Sequence, residues 1–63
     1  MTWILYSKAP DSKQFKPMDL AEGQQVDKLI YATLLSKEEA QNIAAKLSQE
    51  YPDWQWQARR ANS

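Results

Sequence analysis

The chain contains no cysteine, no histidine and only one glycine in 63 residues. Without cysteine there are no disulfides to staple a small fold and no thiolate nucleophile. Without histidine the serine–histidine pair and the imidazole metal ligand are missing, so nucleophilic catalysis by that pair and imidazole metal sites are excluded in their usual forms. A single glycine, Gly23, cannot build a phosphate-binding loop. No apolar run approaches the roughly 20 residues that cross a bilayer, and the N-terminus lacks the basic-then-apolar layout of a signal peptide. Charge of one sign is missing too, with eight basic residues against eight acidic ones. A balanced chain lacks the basic excess of a general nucleic-acid or anionic-membrane binder. It also carries little charge repulsion to oppose association. These absences predict a cytoplasmic protein without membrane contact, cofactor, metal site or catalytic residue.

What is present is aromatic. Three Trp, three Tyr and one Phe supply the core of a single domain, 1–63. A chain of this size buries only about 60% of its unfolded surface. Its stability is expected at roughly 3–9 kcal/mol. Either the aromatic core or a partner chain has to make up the shortfall.

The strongest local signal runs from Ser36 to Trp56. Ser36 is an N-cap, and Glu39 three residues on completes a capping box. Glu38 and Glu39 put negative charge at the positive end of the helix dipole. Ala40, Ile43, Ala44, Leu47 and Tyr51 recur at helical spacing and predict one buried stripe. Pro52 disfavours helical geometry at Tyr51, so the helix is expected over about 36–51. Beyond it, Trp54-Gln55-Trp56-Gln57-Ala58-Arg59 alternates apolar and polar, a strand with Trp54, Trp56 and Ala58 on one face. Small alanines on the helix facing large indoles on the strand predict interdigitating layers.

Earlier in the chain, Trp3-Ile4-Leu5-Tyr6 is a short run of β-formers ended by turn chemistry at Pro10-Asp11-Ser12. Gln14 to Met18 reads as a second strand or extended loop at an edge, because Pro17 cannot donate to a ladder. Met18 to Gln25 reads as a loop or short helical turn around Gly23. Val26 to Leu35 fits two templates. Val26, Leu29, Ile30, Thr33 and Leu34 match a helix, but a helix here would have to break one residue before the next begins. A strand is therefore preferred over 26–35. Asn62 and Ser63 are expected to fray. The predicted fold is α+β in two layers, one helix on a small, mainly antiparallel sheet, in the order β-(β)-β-α-β.

A strand feeding Ser36-Lys37-Glu38-Glu39-Ala40, an Ala-rich helix and a closing Tyr51-Pro52-Asp53-Trp54-Gln55-Trp56 resembles many small proteins of bacteriophages and prophages. The resemblance covers Leu29 to Arg59, about half the chain. It implies origin and size class, and it transfers no functional residue. Small phage-type proteins often act as inhibitors or adaptors, which is what the resemblance implies for function.

Carboxylates, lysines and tyrosines are the only acid–base candidates left. The acidic residues are scattered, and adjacent Glu38 and Glu39 are accounted for by capping. Arg59 and Arg60 form the one dense basic spot, which reads first as a solvated strand end that aids solubility and blunts an edge. Trp3 and Leu5 leave the first strand by one face and Ile4 and Tyr6 by the other, so one helix cannot cover both pairs. The expected interaction surface is drawn from Trp3, Ile4, Leu5, Tyr6, Trp54, Trp56, Arg59 and Arg60. Its occupant is expected to be a protein partner or a second copy in a homodimer. The alternative is single-stranded nucleic acid stacked on sheet aromatics, with Lys8, Lys13, Lys16, Arg59 and Arg60 meeting phosphates. An enzyme is the remote third reading.

Overall fold

The computed structural model describes residues 2–61; Asn62 and Ser63, expected to fray, lie outside them. Trp3–Lys8 forms β1, Lys16–Asp19 β2, Gln24–Gln25 β3 and Gln55–Arg60 β4, with α1 at Lys37–Glu50 between β3 and β4. The four strands make one antiparallel sheet in the order β3-β2-β1-β4. This is the expected α+β architecture, with α1 packed chiefly over β4 and next over β1.

The local signals act as chemistry requires. The Ser36 hydroxyl accepts from the Glu39 amide at 3.1 Å, and the Glu39 carboxylate accepts from the Ser36 amide at 3.1 Å. Both halves of the capping box are therefore formed. At the other end the Tyr51 amide donates to the Leu47 carbonyl at 2.8 Å before Pro52 stops the helix. The turn after β1 closes through the Ser12 amide on the Ala9 carbonyl, with Pro10 in the position its fixed φ favours.

Pairing sorts the side chains. Leu5 lies opposite Ala58 and Ser7 opposite Trp56, so Trp3, Leu5, Ser7, Trp56 and Ala58 share the face that α1 covers. Ile4 pairs with Arg59 and Tyr6 with Gln57 on the other face. Ile4 is 1% exposed and Leu5 0%, which makes β1 the buried centre of the sheet. Buried Ser7 has its polar groups satisfied. Its hydroxyl donates to the Met18 sulfur at 3.0 Å, and the Gln25 side-chain amide donates to the Ser7 hydroxyl and carbonyl. That glutamine ties β3 to β1 across β2.

Four expectations are corrected. The strand preferred over 26–35 is absent. Leu29–Tyr31 is a single 3-10 turn, and only Leu35 makes a bridge, with Trp3. The reason is a fork in the sheet. The Thr33 amide donates to the Met18 carbonyl, the Leu20 amide donates to the Thr33 hydroxyl, and Leu35 and Trp3 exchange bonds at 2.7 and 2.8 Å. The chain from Thr33 to Leu35 thus lies between β1 and β2 where they diverge, and a wedge of that kind has no room for a long strand. Second, Met18 to Gln25 is a hairpin whose turn ends at Gly23, the only glycine, at φ 67. Third, Pro17 belongs to an inner strand. It is tolerated because two-residue β3 pairs with Met18 and Asp19 and ends before Pro17, whose carbonyl still accepts from Val26. Fourth, the helix stripe is shallower than expected: Ala40 is buried, Ile43, Ala44 and Leu47 are half-buried, and Tyr51 is exposed.

Candidate interaction surfaces

The residues expected to form one interaction surface are divided by the fold. Ile4 and Leu5 are buried within the chain and offer no accessible area. Trp3 is half-buried on the helix side, with the Lys37 ammonium 5.8 Å from its ring. Tyr6 lies on the face away from the helix, covered by an arginine. The Arg59 guanidinium sits 4.5 Å from the Tyr6 ring and 5.0 Å from the Phe15 ring, and it bonds Gln57 at 2.6 Å. A weakly hydrated, planar cation is suited to that position between two aromatic faces. This self-made cover shields the sheet face left open by the helix. Arg60 is exposed at the end of β4.

Trp54 and Trp56 belong to a second cluster. Their rings stack with centroids 5.8 Å apart and planes 22° apart, and Tyr51 lies 6.2 Å from Trp56 in a tilted arrangement. The Trp56 indole donates to the Tyr51 carbonyl at 3.4 Å, and the Trp54 amide donates to the same oxygen at 3.1 Å. The helix end therefore orients the Trp56 indole and anchors the Trp54 backbone, whose ring stacks on it. Together with Leu47, Met18 and Leu20 they line an open groove of about 470 Å³ between the end of α1 and the β2–β3 hairpin. The polar side chains along it are Gln24 and Gln25, and no ionisable carboxylate or ammonium lines it.

A third surface was not singled out from the sequence. Ile30 is 79% exposed, Leu34 66%, Tyr31 60% and Leu29 43%, while Ala32 between them is buried. The 3-10 turn causes this. At three residues per turn its side chains radiate in three directions, and the wedge anchors only Ala32 and Thr33 inward. The signal was the dual fit of this run to helix and strand. A segment that satisfies neither period fully has no single face to bury.

Among the described residues no cluster of three or more Asp, Glu, His or Cys could hold a metal, and no helix is long and apolar enough to cross a membrane. No protein-family model matches the chain, and neither a curated protein nor a solved structure matches it significantly.

Proposed function

We propose that this chain is a small, cytoplasmic, non-enzymatic interaction protein of the phage or prophage kind, which acts by binding a protein partner or itself. The observation that carries the reading is the exposed run Leu29, Ile30, Tyr31 and Leu34. Large apolar side chains exposed in close succession on a small chain are candidate contact sites. Covering them would be worth several kcal/mol at about 25 cal/mol per Å2. The resemblance of the helix and closing strand to small phage proteins agrees with an adaptor or inhibitor.

Single-stranded nucleic acid has less support. Tyr6 and Phe15 are capped by Arg59 and are not open for base stacking. The Lys16 ammonium lies 3.7 Å from the Asp27 carboxylate, and the Lys8 ammonium bonds the Ser12 carbonyl. Three of the five candidate phosphate contacts are thus engaged within the chain.

The test places a photo-crosslinking side chain at position 30 and, as a control, at exposed Gln41 on the polar helix face. In cells producing the protein, position 30 should give one adduct of defined mass that Leu34→Lys abolishes, and position 41 should not. Equal labelling from both sites, or no adduct at either, would overturn the reading. Salt-dependent binding of oligonucleotides by the intact chain would move the assignment to nucleic acid.

A further inference from the structure

β4 is the outer strand on its side of the sheet, six residues long, without proline or glycine. Its register with β1 runs unbroken from Trp3/Arg60 to Lys8/Gln55, so no bulge twists it away. The opposite edge, β3, has only two residues, a length that protects an edge by itself.

Two observations establish which backbone groups of β4 face outward. The Ala61 amide donates to the Thr2 carbonyl at 2.9 Å, and Trp3 exchanges its bonds with Leu35 on the far side of β1. Bonded pairs alternate along an antiparallel ladder. Ile4/Arg59, Tyr6/Gln57 and Lys8/Gln55 are therefore the pairs that exchange bonds. The amides and carbonyls of Trp56, Ala58 and Arg60 then point away from the sheet, and no described residue bonds them.

We propose that a second copy of this chain occupies the β4 edge, β4 pairing antiparallel with β4 about a two-fold axis at Ala58 to join both sheets into one. The edge is complementary to itself in this register, which pairs all three outward-facing residues, Trp56, Ala58 and Arg60. With the axis at Ala58, Trp56 lies opposite the partner's Arg60, Gln57 lies opposite the partner's Arg59, and Ala58 faces itself. Arg60 meets an indole, Arg59 lies opposite an amide side chain, and no arginine faces another. An axis at Gln57 would bond Trp56 to the partner's Ala58 but set Arg60 against Trp54, whose amide already bonds Tyr51, and an axis at Arg59 sets like charges opposite each other. Centring on Arg60 sets like charges opposite each other. An axis at Trp56 runs the ladder into Trp54, whose amide already bonds Tyr51. Arg59 adds little repulsion near the axis, since its guanidinium is folded back over Tyr6 and Phe15. The balanced charge of the whole chain leaves association unopposed at longer range.

The proposal rests on backbone geometry. It gives the self-binding half of the functional reading a surface separate from the apolar run. Analytical ultracentrifugation across a concentration series should show the mass rising from 7.3 kDa toward twice that value. Ala58→Pro should weaken association by about tenfold or more, because it removes both symmetric bonds at the axis. It should leave the monomer folded by circular dichroism, because the lost amide faces away from β1. Absence of native cysteine permits a second test that does not depend on that variant folding. Ala58→Cys should give a disulfide-linked dimer on oxidation, because a bonded pair sets Cα atoms about 5.5 Å apart, within disulfide range. Gln55→Cys on the same strand should not, because its mate would lie about 20 Å away along the strands. A strict monomer, equal crosslinking at both positions, or a dimer unchanged by Ala58→Pro would overturn the proposal. Ile30→Lys separates the two surfaces. It should leave the mass series unchanged, and a dimer that it abolishes would place self-association on the apolar run instead.

Discussion

Two apolar runs in this protein, Trp3 to Tyr6 and Leu29 to Leu34, have similar composition and opposite environments. In the first, Ile4 and Leu5 are sealed from solvent; in the second, Ile30 and Leu34 are among the most exposed apolar side chains of the described residues. Backbone partners make the difference. β1 has β4 along its whole length on one side, and β2 followed by Leu35 on the other. Neighbouring strands bring their own side chains over both faces, so residues of either parity are covered. The second run bonds mainly to itself, through the Tyr31 amide on Lys28 and the Ala32 amide on Leu29. Its links to the sheet begin only at Thr33. Apolar character leads to burial only where the backbone finds partners, because an unpaired polar main chain cannot be carried into a core.

The largest expected effect tests that contrast directly. Leu5→Ala should destabilise the fold by about 2–5 kcal/mol, the cost of a cavity at a fully buried leucine. At the stability expected for this length, it should leave a large fraction unfolded in a denaturant titration. A loss well under 1 kcal/mol would mean that β1 is not the centre of the core.

Leu47→Ala should cost less, about 1–2 kcal/mol, since the side chain is half-buried beside an open groove. A loss equal to that of Leu5→Ala in the same titration would show the groove to be closed in solution.

Ser36→Ala should cost about 1 kcal/mol through loss of the capping box. An unchanged urea midpoint would remove Ser36 as the cap. Arg59→Gln comes next, at about 0.5–1 kcal/mol, from loss of the stack on Tyr6 and Phe15. The same substitution made on a Tyr6→Leu, Phe15→Leu background should cost nearly nothing.

The smallest effect closes the comparison. Ile30→Ala should change stability by less than about 0.5 kcal/mol, as for an exposed side chain with no packing to lose. A loss approaching that of Leu5→Ala would show that the second run is also core, and would leave the interaction reading without its surface.

Most elements made by interactions that span few residues were legible, the hairpin closed at Gly23 being the exception. The Ser36–Glu39 box reaches three residues, Pro52 ends the helix next to itself, and the alternation through Trp54 to Arg59 places every other side chain on one face. The division of Trp3 and Leu5 from Ile4 and Tyr6 follows from the same period. Of the candidate surface, the position of Trp54 and Trp56 on the helix side was readable as packing. The orientation of the Trp56 indole by the Tyr51 carbonyl was not, because that bond depends on how the helix end meets the strand.

By itself, then, the sequence determined one helix with both its ends, a strand on either side of it in the chain, and the exclusion of cysteine and histidine chemistry. Tertiary structure alone decided the fate of the long apolar stretch before the helix. Residues 26–35 carry enough apolar and β-branched side chains to form a strand, and no local rule forbids one. The fork between β1 and β2 accepts only Thr33 to Leu35, and a hairpin closed at Gly23 already provides the outer strand beside β2. Tertiary structure likewise turned Arg59 inward over Tyr6 and Phe15, residues 53 and 44 positions away in the chain. Contacts of such separation form only after the sheet has assembled, and the spacing of neighbours along the chain carries no record of them.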